Sequence, residues 1–191
     1  MLILRFSLKN ISREVEEVCK LGINAIALFP VIDKSQRSFE AKEATNPDNV
    51  ICKCLRLLRK EFPDLGIICD IALDPFTTSG HDGIINKFDE VDNDKTIEVL
   101  SQMSINYVKS GCEVLAPSDM MDGRIKNIRK NLEDQKYTDT IIISYAAKFS
   151  SQFYGPFRDI IDNKKKNINK NSYQLSSKNR IEAVKDALAD I

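Results

Sequence analysis

The sequence predicts an α/β fold built on a parallel sheet. Three observations carry this. Apolar runs of strand length alternate with stretches of helical period. The runs are near-continuous rather than alternating, the pattern of strands covered on both faces. Residues able to do chemistry gather where the runs end: Asp70 and Asp74, Ser118 and Asp119, and Lys148.

The elements follow in order. Ile11 to Gly22 reads as a helix, with Ser12 as N-cap, Val15, Val18 and Cys19 on one face and Gly22 as the stop. "INAIALFPV" is a short buried strand that runs into a proline. Pro47 to Glu61 is helical, with a stripe of Val50, Ile51, Cys54, Leu57 and Leu58. "LGIICDIAL", Leu65 to Leu73, is the second strand, and a long loop with "DPFTTSGHDG" follows it. Asn93 to Gly111 is a helix, "CEVLAPS" a third strand, Met121 to Lys136 a helix and "TIIISYAA" a fourth strand. Ser176 to Ile191 is the last helix. Functional residues at the C-terminal ends of strands suit the rim of a (β/α)8 barrel, but a closed barrel has eight strands over roughly 250 residues. A doubly wound open sheet suits the length better, yet no Gly-rich phosphate loop follows any strand.

Composition narrows the function. The 191 residues carry 28 basic and 28 acidic side chains, a formal net charge of +0. Bulk charge therefore draws no nucleic acid. No run approaches the roughly 20 apolar residues of a membrane span. Five scattered cysteines imply reduced thiols and a cytoplasmic protein. Cys52 and Cys54 are too close for a zinc ribbon, and no second pair follows.

Lys148 lies at the end of the fourth apolar run, among small residues and aromatics in "SYAAKFSS". Burial and neighbouring cations lower an amine's proton affinity, and the neutral amine attacks ketones and aldehydes to give a Schiff base. The bland alternative is a strand-end lysine reaching solvent. Arg158, after the "FYGP" turn, and Lys170 suit a substrate carboxylate. Lys164, Lys165 and Lys166 read as a solvated loop. Asp70, Asp74 and Asp82 are placed to shuttle protons or to bind a hard cation. His81, the chain's one histidine, reads as a structural hydrogen-bonder. Ser118 lacks a histidine partner and is read as orienting a lysine or hydroxyl, not as a nucleophile. Asp119 is open to a site role or to capping the next helix.

Together, "AIALFPVI", "EATNPDN", "FPDLGIICDIALDPFTTSGHDG", "NDKTIEVLSQM", "LAPSDMMDGRI", "SYAAKFSSQFYGPFRD" and "NSYQ" resemble the porphobilinogen synthase, or δ-aminolevulinic acid dehydratase, family. The resemblance covers residues 5 to 191. It implies a (β/α)8 barrel, usually an octamer, that condenses two 5-aminolevulinate molecules to porphobilinogen in tetrapyrrole synthesis. It places the first of two Schiff-base lysines at Lys148, with Asp70 and Ser118 beside it. Substrate-carboxylate cations fall at Arg158 and Lys170, with Gln174 close by. The family's three zinc cysteines fall at Ala72, Asp74 and Asp82. That implies a zinc-independent member, in which magnesium acts away from the chemistry through an acidic ligand beyond residue 191.

The same resemblance implies one partial barrel domain over residues 1–191. The N-terminal arm, the first strand, the second lysine and the last strands have no counterpart in these residues. The expectation is a chain of poor stability and little activity alone, with the octamer in doubt. The alternative is a non-catalytic remnant or interaction fragment of such an enzyme.

Overall fold

In the computed structural model, residues 4–151, 153 and 169–191 are described. Four parallel strands lie side by side in chain order: β1 (Ala25–Leu28), β2 (Gly66–Ile71), β3 (Val114–Pro117) and β4 (Ile141–Ile142). Ala25 stands opposite Gly66, Ile68 opposite Val114, and Val114 opposite Ile141. Helices α1 (Ile11–Lys20), α2 (Val50–Glu61), α3 (Asn93–Lys109), α4 (Arg124–Asp134) and α5 (Arg180–Ala189) complete the alternation.

Helix boundaries follow local hydrogen bonding. The α1 cap is Asn10, not Ser12, which falls within the first turn, and Gly22 takes the left-handed φ of +80° just past its end. Helix α2 starts at Val50, because the buried Asn49 side chain accepts from Cys52 N at 2.9 Å. That start turns Val50 outward and brings Cys52 and Leu55 into the core, while Leu57 is only half-buried. Helix α3 begins where the Asp92 side chain accepts from Lys95 N at 3.2 Å. Helix α4 starts at Arg124 rather than Met121, because the Asp119 side chain accepts from Met121 N and closes a turn ahead of it. Helix α5 starts at Arg180, capped by Asn179, which accepts from Glu182 N while its own amide donates to the Glu182 carboxylate.

One core unites Val15 of α1, Leu55 and Leu58 of α2, Leu100, Met103 and Tyr107 of α3, and Ile128 and Leu132 of α4. These pack on Ile67, Cys69 and Ile71 of β2, all at 1% exposure or less. Helices α1 to α4 gathered into a single core describe a barrel wall rather than a doubly wound sheet, while Ala183 of α5 joins Met120 and Leu175 in a small separate cluster. Strands covered on both faces are found at β2 and β3 but not at the outer strands. Ala25 and Ala27 of β1 and Ile141 of β4 are exposed, as are Phe29, Val31, Ile143 and Tyr145 just beyond. Among the described residues β1 pairs only with β2, and β4 only with β3. The β4 ladder is shorter than expected, yet the chain still runs beside β3: Ile143 N donates to Leu115 O, and Tyr145 N to Pro117 O. No helix among the described residues is long and apolar enough to cross a membrane.

Candidate active site

The site forms where β2, β3 and β4 end. Asp70 is the penultimate residue of β2, and Ser118 directly follows β3, its N–H donating to Ile71 O at 3.1 Å. The loop after β2 folds back so that Leu73 N donates to Asp82 O, which brings Asp74 and Asp82 over the strand ends. Lys148 arrives from the segment after β4. Its backbone O accepts from Leu175 N, and the Phe149–Leu175 bridge fastens residues 169–175 across the top.

Lys148 is partly buried, with 9% of its side chain exposed. Its Nζ donates to the Ser118 carbonyl at 2.5 Å and lies 4.0 Å from Asp82 Oδ2. Ser118 thus meets Lys148 through its backbone oxygen and not through its hydroxyl. The Ser118 hydroxyl serves Asp70 instead, as one of the influences on that carboxyl. Lys170 is buried and donates to both oxygens of Asp82, at 2.9 and 3.0 Å, with Asp74 Oδ2 at 4.0 Å. Gln174 is buried in the same segment, its N–H donating to Lys170 O at 2.9 Å. Arg158 and Lys164 to Lys166 lie outside the described residues.

The three carboxyls are tuned apart. Burial pushes Asp70 up to about 6, with the Ser118 hydroxyl and the Lys148 ammonium partly offsetting it. Burial and the neighbouring Asp82 charge push Asp74 up to about 7. Burial also acts on Asp82, but the Lys148 and Lys170 ammoniums and the Tyr173 hydroxyl outweigh it and hold that carboxyl below its usual range. Asp70 and Asp74 can therefore exchange protons near neutral pH, while Asp82 stays ionised. One oxygen of Asp70 has no hydrogen-bond partner among the described residues.

One participant was not visible as such in the sequence. The Tyr173 hydroxyl contacts the Asp82 carboxylate and lies 3.1 Å from His81 Nδ1. "NSYQ" gave no spacing signal for this, because the partners are about ninety residues away in sequence. The structural reading of His81 matches that contact. Asp119 supports the site from behind: Oδ1 accepts from Met121 N at 2.8 Å, and Oδ2 faces Arg124 Nε at 3.4 Å. Between them Met120 holds a φ of +68°, uncommon for a side-chain-bearing residue.

A largely covered lysine in the segment beyond β4, facing carboxyls of separated proton affinity, has the groups that amine chemistry on a carbonyl requires. The family model for delta-aminolevulinic acid dehydratase matches residues 2–191. The chain belongs to the delta-aminolevulinic acid dehydratase family. It is 46% identical over 188 residues to the dehydratase of Bradyrhizobium diazoefficiens, covering 98% of this chain and 53% of that protein. It is 38% identical to the Chlamydia pneumoniae dehydratase, covering 98% of this chain and 56% of the relative. A crystal structure of the Toxoplasma gondii ME49 enzyme with its reaction product porphobilinogen superposes with a TM-score of 0.94 at 38% identity, covering 97% of this chain and 53% of that one. The chain spans about half the length of the relatives it matches. The fold is accordingly that of a dehydratase (β/α)8 barrel, of which four parallel strands are described here.

The donor set at the zinc-cysteine places does not suit zinc. Ala72 offers no donor, and Asp82 is engaged by Lys170. Among the described residues no group of three or more His, Cys, Asp or Glu side chains is placed to hold a metal ion.

Proposed function

We propose that this chain performs porphobilinogen synthase chemistry, capturing one 5-aminolevulinate as a Schiff base on Lys148. The observation that carries this is the placement of the Lys148 amine: partly buried, anchored by the Ser118 carbonyl and facing carboxyls that exchange protons near neutrality. The neutral amine attacks the ketone carbon, and a C–N bond forms as the carbonyl oxygen takes up a proton. The carbinolamine then loses its hydroxyl as water to give the imine. Asp70 is the group assigned to accept the amine's proton, and Asp74, about half protonated at pH 7, is assigned to supply one to the departing hydroxyl. Lys170, with Arg158, is assigned to the substrate carboxylate, and Gln174 to the same subsite. No step runs through a metal. The chain is assigned to a reducing, cytoplasmic setting on its five scattered cysteines.

Borohydride reduction in the presence of 5-aminolevulinate, followed by peptide mass mapping, tests the assignment. Label on Lys148, absent in Lys148→Ala, supports it. Label confined to other lysines refutes it.

The exposed apolar residues on and beyond β1 and β4 favour a second reading, in which the chain works only when packed against a complementary polypeptide. Porphobilinogen formation by the purified chain alone rules that reading out.

A further inference from the structure

The geometry points to Asp82 as an internal stand-in for the substrate carboxylate: it occupies Lys170, and a keto acid binds by displacing it. This rests on the Schiff-base reading above. An ammonium has three protons and no acceptor. Two of those of Lys170 are spent on Asp82, at 2.9 and 3.0 Å, and among the described residues the Asp74 carboxyl stands further off, at 4.0 Å. With Lys170 and Asp82 at 8% and 1% side-chain exposure, water does not loosen the pair. An incoming carboxylate therefore meets a cation whose strongest positions are already filled by the same chemical group.

The exchange has a consequence for specificity. Asp82 also faces Lys148 at 4.0 Å and holds the Tyr173 hydroxyl. When a substrate carboxylate takes Lys170, Asp82 retains the Tyr173 hydroxyl and the Lys148 nitrogen, which is cationic again once the imine is protonated, so release need not leave its charge bare. A neutral ketone cannot make the exchange and leaves the Asp82–Lys170 pair closed. Asp82 thereby sets a threshold that only a carboxylate-bearing ketone meets, and it does so by lowering the affinity for that carboxylate.

The test uses two probes that lack the substrate amine: 4-oxopentanoate and the neutral 5-hydroxypentan-2-one. The readout is the ratio of their half-saturating concentrations for borohydride labelling of Lys148. The neutral ketone reports any change in Lys148 itself, so the ratio isolates the carboxylate. Asp82→Asn is expected to raise the preference for the acid about tenfold, the scale of one charge-assisted hydrogen bond, and Lys170→Gln to abolish it. Asp74→Asn at pH 6, which changes little charge and breaks no hydrogen bond of Lys170, is expected to leave the preference within about twofold. An unchanged or lower preference in Asp82→Asn overturns the inference, as does an equal rise in Asp74→Asn. A crystal structure of the unmutated chain soaked in 4-oxopentanoate decides the matter without a variant. Lys170 on the ligand carboxylate supports exchange, and Lys170 still on both oxygens of Asp82 beside bound ligand refutes it. No label on Lys148 with either ketone refutes the Schiff-base reading, and the exchange with it.

Discussion

Lys170 grips both carboxylate oxygens of Asp82 across 88 residues of sequence, in a setting where neither side chain is more than 8% exposed. The pair ties residues 169–175 to the loop after β2, so it has a structural share besides any role toward substrate. Removing one member leaves the other charge buried without its partner, at a cost of about 3–5 kcal/mol. Lys170→Met is expected to lose that much stability in urea denaturation. The double variant Lys170→Met/Asp82→Leu is expected to lose less than the single, since two apolar groups need no partner. Additive losses in the double-mutant cycle would show that the pair does not couple.

Asp70, assigned above as the proton acceptor, must be ionised to act as a base. With its proton affinity raised to about 6 by burial, the rate of imine formation is expected to climb as pH rises through about 6. Asp70→Asn is expected to slow Lys148 labelling by about 10²-fold or more and to remove that inflection. A slowed variant that keeps the inflection would assign it to another group.

Asp119 makes a stability prediction of definite sign. Burial raises it to about 7, against the opposing Arg124 charge and the Met121 N–H. An unfolded aspartate releases its proton near 3.9. Between those values the folded chain binds more protons, so this group's contribution to stability is full at acid pH and is lost as pH rises toward about 7. Asp70 and Asp74 act in the same direction. Asp82, held low, acts oppositely: its contribution is lost as pH falls through its folded value. Urea midpoints of the parent chain and Asp119→Asn, compared at pH 5 and pH 8, check this. The parent's relative advantage is expected to be larger at pH 5, and an advantage that does not change with pH would contradict the assignment.

The sequence made the strand order of chemistry legible and left the pairing hidden. Asp70, Ser118 and Lys148 were readable because each sits where an apolar run ends, and parallel strands bring such ends together. Asp82 and Lys170 were readable as charged residues but not as partners, because no local period relates positions so far apart. The β4 boundary was overread: "TIIISYAA" has strand composition throughout, but regular pairing stops at Ile142 and gives way to two further hydrogen bonds to β3. The α2 stripe was misplaced because Asn49, rather than Pro47, sets the first turn.

Zinc dependence is expected to be absent. A carbon at Ala72 and an ammonium on Asp82 leave no three-donor set where the family's cysteines would stand. Treatment with a zinc chelator is expected to release no stoichiometric zinc and to leave Lys148 labelling unchanged. Stoichiometric release accompanied by loss of labelling would overturn the donor-set argument.

Gly83 adjoins Asp82 at a place with no room for a side chain. A Cβ at Gly83 would lie 2.5 Å from Val91 Cγ1 and 2.8 Å from Thr96 Oγ1. Thr96 cannot turn aside, since its hydroxyl donates to Asp92 O at 2.6 Å and accepts from Ile84 N at 3.0 Å. The backbone must therefore move, carrying the adjacent Asp82 away from Lys170. Gly83→Ala is expected to cost about 1–3 kcal/mol by overpacking and to slow Lys148 labelling. Val91→Ala removes the closest atom, so Gly83→Ala/Val91→Ala is expected to recover part of both losses. Recovery of stability without recovery of labelling would show that Gly83 packs the loop but does not position Asp82.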